Sequence, residues 1–293
     1  MIKLNRQRTT SAVPPSLRGD KRRGKEGELL KMWRDHLHSG ADASPNWKTT
    51  YWKAGKPRLK KDTFGKCAYC ESPTDVVAHG DVEHFRPKSV YWWLAYCFDN
   101  HLFACQICNQ SYKGDNFPRP SGTLPMPGPA VKGTTTDAAL ALLVDSFAPD
   151  PVEVALGHTL DNFLAGCGAE QAGLPDPYNE DPELYFRWEA DATNKEVWLR
   201  ARTASGRQQF ITESCEVFMG LNREELRRWR WVLAYEHLAD LKAILDQLHA
   251  EEVPGLAKQL TEDAIRKMMA ADQPYAAMVR FFVKDMWNLF PAS

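Results

Sequence analysis

The sequence predicts an α+β fold, mainly α, in which a small metal-stabilised unit of two strands and a helix is flanked by helical N- and C-terminal regions. Two CxxC pairs, Cys67/Cys70 and Cys105/Cys108, enclose a segment with strand-like valines and mark the small unit. Apolar residues recur at helical spacing along the C-terminal third, and a shorter helical pattern covers residues 24–38. With 43% hydrophobic residues over 293 positions, the chain has enough apolar side chains to bury a substantial core.

Composition divides the chain into four expected regions. The beginning is polar, proline-bearing and basic, which favours an extended arm over packed structure. A Pro/Gly-rich stretch after the second CxxC pair indicates a linker. The expected regions are a basic extended arm at 1–25, the small unit with its N-terminal helix at 26–118, a linker and insertion at 119–205, and a helical region at 206–293.

The two CxxC pairs predict a structural zinc site formed by Cys67, Cys70, Cys105 and Cys108. A two-residue spacer lets both sulfurs of a pair reach one tetrahedral ion. The pairs enclose 34 residues, more than the roughly 15–20 of a simple zinc ribbon. We therefore expect the zinc to hold more than a turn, with Glu83–His84 as the enclosed functional element.

Within the enclosed segment, residues 75–85 predict a β-hairpin, because Val76, Val77 and Val82 surround Gly80. Its second strand presents Glu83 and His84. Residues 90–96 are rich in aromatics and predict core packing, and residues 107–113 predict a helix.

The residues of this unit suit phosphodiester hydrolysis, which needs a base to activate water and a divalent cation to neutralise the phosphate. A neutral histidine near pH 7 suits the base, which points to His84. The preceding carboxylate of Glu83 and the amide oxygen of Asn109, directly after the last zinc cysteine, suit a hard cation such as Mg²⁺. A single histidine is more often an ordinary core or surface residue, but its occurrence together with both CxxC pairs favours the catalytic interpretation.

This stretch resembles the HNH endonucleases of the ββα-metal fold in their four-cysteine form. The resemblance implies that His84 is the general base and that Glu83 and Asn109 bind a catalytic Mg²⁺ or Mn²⁺. It also implies that Asn100 orients the histidine loop, and Lys113 matches the lysine that follows CxxCN in the family. One departure is His101, which stands where the family usually has leucine and either joins the site or packs. We expect nucleic acid to contact Arg86, Lys88 and Lys113.

Several longer phrases resemble one subfamily, the PtuB-type nucleases of Septu and retron anti-phage systems. These phrases are CAYCE, VEHFRPK, WLAY, CNQSYKGDNFP, DPYNEDPELYFRW and GLNR. The resemblance implies an effector that works with a PtuA-like ATPase and cleaves DNA or RNA, with DNA slightly favoured. The alternative is a zinc-containing nucleic-acid or protein-binding module without catalytic turnover; the Glu83/His84/Asn109 set favours the nuclease.

The net charge of −1 conceals an uneven distribution. Residues 1–66 hold 17 Lys/Arg against 6 Asp/Glu, while the remainder is acidic. Such a basic segment either attracts phosphate backbones or forms a solvated leader. Because apolar runs are short and the cysteines outside the zinc pairs are odd in number, we expect a soluble, cytoplasmic protein.

At the start of the C-terminal region, Asn222 stands three residues before Glu225, which is the spacing of a helix N-cap and its capping-box partner. Further along, Pro254 is expected to separate two helices.

Overall fold

The computed structural model describes residues 1–40, 45–74, 79–251 and 255–290. These residues are mainly helical with a few short strands, which confirms the predicted α+β, mainly α class. Helices α1 to α10 are Gly19–Ser39, Thr50–Lys53, Lys56–Asp62, Asp137–Leu143, Leu160–Ala169, Gly206–Met219, Glu224–Trp231, Ala239–Ala250, Leu256–Met268 and Ala276–Arg280. Three π-helical segments complete them, at Ile107–Lys113, Val232–Leu238 and Phe281–Met286.

The strands form two antiparallel pairs. β1 (Asp81–His84) pairs with β2 (His101–Ala104), so that Glu83 lies opposite Leu102 and His84 opposite His101. β3 (Phe186–Asp191) pairs with β4 (Glu196–Ala201). Since Ile107–Lys113 follows β2 directly, β1, β2 and this helical segment occur in the predicted order of strand, strand, helix.

The hairpin predicted within residues 75–85 falls partly outside the described residues. β1 takes β2, from 17 or more residues further along the chain, as its partner. Val76 and Val77 lie outside the described residues. Before β1, Gly80 has a φ of 54°, and a Cβ there would lie 2.4 Å from the ring of Phe103. The position therefore requires glycine, because a side chain would collide with the buried face of β2.

The buried hydrophobic side chains of the described residues form two large clusters and a small third one. The first joins the cysteine segments to β3, β4 and the C-terminal helices. The second joins α1 to the aromatic segment before β2 and to Phe163 of α5. Residues 91–96 are buried in the second cluster, which confirms the packing role predicted from their composition. Val90 is the exception, with 49% of its surface exposed.

The N-terminal residues do not form the unpacked arm that their composition suggested. Met1, Ile2 and Leu4 are buried in the first cluster, and the Leu4 amide donates to the carbonyl of Pro177. Helix α1 begins at Gly19, five residues earlier than predicted. Although residues 1–8 have no helix or strand, their apolar side chains are covered by segments far along the chain, which composition does not reveal.

Acidic residues from the region after 119 pair with several basic residues of α1. Arg22 is buried and pairs with Glu26, Asp145 and Asp150. Arg23 also pairs with Asp145, at 2.7 Å. The insertion thus contributes counter-ions to α1, for the buried Arg22 and the partly exposed Arg23.

The C-terminal region differs from expectation at one cap. Helix α7 begins after Arg223, whereas the Asn222 side chain bonds the backbone of Leu199 in β4 in both directions, at 2.8 and 3.0 Å. Tertiary contacts have therefore replaced the predicted N-cap. Pro254 lies outside the described residues. None of the described helices is long and apolar enough to cross a membrane.

Candidate functional site

The four predicted zinc cysteines converge at one end of the β1–β2 pair. Their sulfur atoms all lie within 4.8 Å of one another, and Cys70 Sγ is 3.9 Å from Cys105 Sγ. Around a tetrahedral zinc with Zn–S bonds of about 2.3 Å, sulfurs are about 3.8 Å apart. The Cys108 amide also donates to Cys105 Sγ at 3.4 Å, as expected in a CxxC turn. The four-cysteine cluster therefore fits a structural zinc ion, which would cross-link the two turns.

His84 ends β1 at the other end of the pair and is buried. Its Nε2 lies 2.9 Å from the carbonyl oxygen of Ala95. A carbonyl can only accept, so Nε2 carries the hydrogen and Nδ1 is the atom that can take up a proton. Burial, with His101 nearby, holds the pKa of His84 well below its usual value, so the ring is neutral at pH 7.

A pocket of about 260 Å³ opens beside His84. It brings together three of the predicted site residues, Glu83, His84 and Asn109, with the predicted nucleic-acid contact Lys88. The other lining residues are Trp52, Val82, Pro87, Gln110, Gly114 and Asp115. The wall thus combines an imidazole, carboxylate and amide oxygens, and a cation.

Glu83 is buried and already has a cationic partner. Its Oε1 lies 2.5 Å from Lys113 Nζ and 3.4 Å from the Tyr69 hydroxyl. Burial raises the pKa of Glu83, and the charge of Lys113 opposes that rise. Lys113 is itself fully buried, and its Nζ also donates to the carbonyl oxygen of His84 at 3.1 Å. The predicted contact between Lys113 and nucleic acid is therefore wrong: this lysine ties the helical segment to β1.

Asn100 is buried behind the histidine loop. Its Oδ1 accepts from the Arg86 amide at 2.9 Å, and its Nδ2 donates to the Arg86 carbonyl at 3.0 Å. The Asn100 carbonyl accepts from the Phe85 amide at 2.9 Å. These bonds fix the backbone of the two residues after His84.

Arg86 and Lys88 have different environments, although both were expected to contact nucleic acid. Arg86 is only 2% exposed, and its Nε lies 2.6 Å from Glu170. The expected contact is wrong for Arg86, because its guanidinium is engaged in the interior. Lys88 is half-buried and lines the pocket beside His84.

His101 is fully buried and lies directly against His84. Its ring packs edge-on against His84 with centroids 4.9 Å apart, and its Nε2 donates to the same Ala95 carbonyl at 3.0 Å. Burial lowers the pKa of His101 to about 3, so it stays neutral. Both alternatives for this residue thus apply: it packs, and it shares the hydrogen-bond acceptor of His84.

Trp52 and Asp115 are two of the pocket residues that the sequence interpretation did not assign to the site. The Trp52 ring meets His84 edge-on at 4.8 Å, yet no spacing links α2 to β1. Asp115 stands six residues after Asn109 in the phrase KGDN, and a carboxylate so close to a predicted cation ligand was a usable signal.

The chain has a partial similarity to one known protein. Over 76 residues it is 42% identical to the Septu protein PtuB of Bacillus mycoides (strain KBAB4). This similarity covers 22% of the chain, which spans about a quarter (26%) of the length of the curated protein it matches. No family model and no solved structure matches the chain. The chain is thus similar over part of its length to a Septu protein, and it carries a cysteine cluster that fits zinc.

Proposed function

We propose that this protein is a metal-dependent HNH endonuclease that hydrolyses phosphodiester bonds of nucleic acid. The observation that carries the proposal is the state of His84, a neutral imidazole with Nε2 fixed as a donor, in a pocket that Glu83 and Asn109 also line. Such a ring has its second nitrogen available to accept a proton, as a general base requires. The partial similarity to the Septu protein PtuB supports the same proposal.

In the proposed reaction, Nδ1 of His84 accepts a proton from the water molecule that attacks phosphorus. The Nε2–H bond to Ala95 then stabilises the resulting imidazolium. Asn100 and Lys113 hold the main chain on either side of the ring, the first through Arg86 and the second through the His84 carbonyl. Lys88 faces the negative charge of the phosphate.

A divalent cation, Mg²⁺ or Mn²⁺, would neutralise the phosphate and the leaving oxygen. Asn109 is half-buried at the pocket wall and suits such an ion as an oxygen ligand. Glu83 fits less well than expected, because Lys113 already lies against its carboxylate. Asp115, exposed at the same wall, is a further oxygen ligand that we assign to this ion.

The Glu83–Lys113 pair is also the observation that favours the alternative function. A carboxylate with a buried lysine as its partner is satisfied without a metal ion. In that case the unit is a zinc-containing module that binds nucleic acid or protein without turnover.

We further infer that the protein acts in the cytoplasm as the effector of an anti-phage system together with a PtuA-like ATPase. The support is the resemblance to PtuB-type nucleases and the name of the similar protein. Because the first residues are packed into the core, the contact surface that we propose lies on the C-terminal helices. Large apolar side chains are exposed there, among them Trp229 (62%), Leu256 (69%) and Leu260 (58%). Leu256→Glu with Leu260→Glu should therefore reduce co-purification with a co-expressed PtuA-like ATPase.

The test of the nuclease proposal compares wild type, His84→Ala and the exposed control His79→Ala, each with and without the ATPase. Plasmid, phage DNA and tRNA are incubated with each protein in Mg²⁺ or Mn²⁺. We expect His84→Ala to lose cleavage by roughly 10²- to 10⁴-fold, the usual contribution of a general base, with unchanged zinc content. His79→Ala should cleave like wild type.

Two results would contradict the proposal. If His84→Ala cleaves at the wild-type rate, His84 is not the base. If wild type binds these nucleic acids but cleaves none of them in any combination, the binding module without turnover is the correct function. The preference among the three substrates decides between DNA, which we favour slightly, and RNA.

A further inference from the structure

Two arginines from the C-terminal helical region lie against the four-cysteine cluster. Arg223, the residue before α7, has its Nη1 3.5 Å from Cys108 Sγ. Arg230, within α7, lines a small cavity together with Cys70, Glu71 and Tyr275. Arg223 thus approaches the cluster from the N-cap of α7 and Arg230 from the last turn of the helix.

The environment of Arg230 is unusual for a guanidinium. The residue is only 3% exposed, and its Nη1 has no hydrogen-bond partner. In the part of the chain that the structure describes, Arg230 forms no ion pair with a carboxylate. Glu71 also lines the cavity, but its carboxylate already forms ion pairs with the Met1 amino group and with Lys66. A buried cation without a counter-ion is strongly unfavourable, so we expect an anion close to Arg230.

The cysteine cluster is that anion once it holds zinc. Metal-bound cysteines are thiolates, and four thiolates around one Zn²⁺ carry a net charge of −2. Three of the four cysteines are buried and the fourth is partly buried, so water screens this charge poorly. Two guanidinium groups supply the matching charge of +2.

We propose that Arg223 and Arg230 are the counter-ions of the metal centre and make α7 a functional part of it. The proposal rests on zinc at the four cysteines, which belongs to the proposed function, and does not require nuclease activity. The two arginines are positioning residues that act through the thiolates. Arg223 also donates to the Gly220 carbonyl at 3.1 Å, which fixes the direction of its side chain.

The surrounding structure explains how α7 presents both arginines. The Asn222 side chain anchors the start of the helix to β4, and Leu226 is buried beneath it. The other arginines of α7 have different partners: Arg227 pairs with Glu196 at 2.9 Å, and Arg228 pairs with Glu224 at 2.7 Å. Arg228 has 67% of its side chain exposed, so it is a matched control on the same helix.

The test uses the full chain and measures zinc directly. Zinc content and the rate of zinc transfer to a chromogenic chelator are compared for wild type, Arg223→Gln, Arg230→Gln and Arg228→Gln. Replacing groups that support metal ligands typically costs about 10–100-fold in metal affinity. We therefore expect zinc release to be about 10–100-fold faster in the first two variants and unchanged in Arg228→Gln. With Co²⁺ in place of zinc, loss of either arginine should move the thiolate-to-metal charge-transfer band to lower energy.

One further variant, together with Arg223→Gln, guards against misfolding. Arg230→Lys keeps the charge and should recover most of the zinc retention that Arg230→Gln loses. If Arg230→Gln does not fold, Arg223→Gln still provides the test, because Arg223 is only half-buried. A folded Arg223→Gln protein with the wild-type release rate and cobalt spectrum would overturn the proposal. Absence of zinc from folded wild type would instead refute the metal centre itself.

Discussion

The four-cysteine cluster and the His84 pocket lie at opposite ends of one β1–β2 pair, and they are built in different ways. The cysteines converge through two short CxxC turns, whose spacing brings all four sulfurs within 4.8 Å of one another. The pocket depends on residues elsewhere in the chain. The Ala95 carbonyl accepts a hydrogen bond from His84, and Lys113 forms an ion pair with Glu83.

This difference shows that repeated local motifs specify which residues bind the metal, whereas a site made of single residues takes its chemistry from its neighbours. Removing a cysteine should therefore affect folding. Removing a pocket residue should affect chemistry or local stability while zinc remains bound. The four predictions below test that distinction.

The largest effect is expected at the cysteine cluster. Because structural zinc contributes on the order of 10 kcal/mol of binding free energy to folding, Cys105→Ser should lose zinc and unfold the unit. Elemental analysis and thermal unfolding measure both. Cys167→Ala, outside the cluster, is the control and should keep zinc. A well-folded, zinc-free Cys105→Ser protein would show that the cluster is dispensable.

The Glu83–Lys113 pair should show the next largest effect. Lys113→Met leaves the buried Glu83 without its cation, which should cost about 3–5 kcal/mol of unfolding free energy. The double variant Lys113→Met/Glu83→Gln should recover much of this loss, because no buried charge remains unpaired. Denaturant unfolding of the four proteins of the cycle gives the coupling. Additive effects of the two substitutions would exclude a direct interaction.

Asn100 should matter less for stability than the ion pair but more for the histidine loop. Asn100→Ala leaves the Arg86 amide and carbonyl without their side-chain partners. Leaving such buried groups unpaired should lower the free energy of unfolding by about 1–3 kcal/mol. Zinc content should be unchanged, while the rate of cleavage should fall. If Asn100→Ala instead releases zinc, the two ends of the β1–β2 pair are not separable.

The smallest effect separates Lys88 from Arg86. Lys88→Ala should weaken nucleic-acid binding and reduce the slope of log affinity against log salt by about one, as expected for one phosphate contact. Arg86→Met should leave that slope unchanged and destabilise the fold, because Glu170 loses its buried partner. Binding titrations at several salt concentrations distinguish the two. A reduced slope in Arg86→Met would contradict the buried position of this arginine.

Several features followed from the sequence alone because their signals are local. The CxxC spacing predicted the cysteine cluster, and apolar periodicity predicted a mainly helical protein. The aromatic run at 91–96 predicted a core segment. The order strand, strand, helix was also expected, although the partner of β1 was not, because a single strand does not specify which distant strand it pairs with.

The sequence alone therefore specifies the chemical groups and their local spacing. Which of these groups are exposed to solvent depends on the tertiary fold. Lys113 and Arg86 are residue types that commonly contact phosphate, yet each is buried against a carboxylate. The N-terminal residues have the composition of a solvated arm, yet they are covered by the core. The physical reason is that burial and ion pairing depend on residues far apart in the sequence, such as Arg86 and Glu170, which are 84 residues apart. Spacing and periodicity report only on neighbours along the chain.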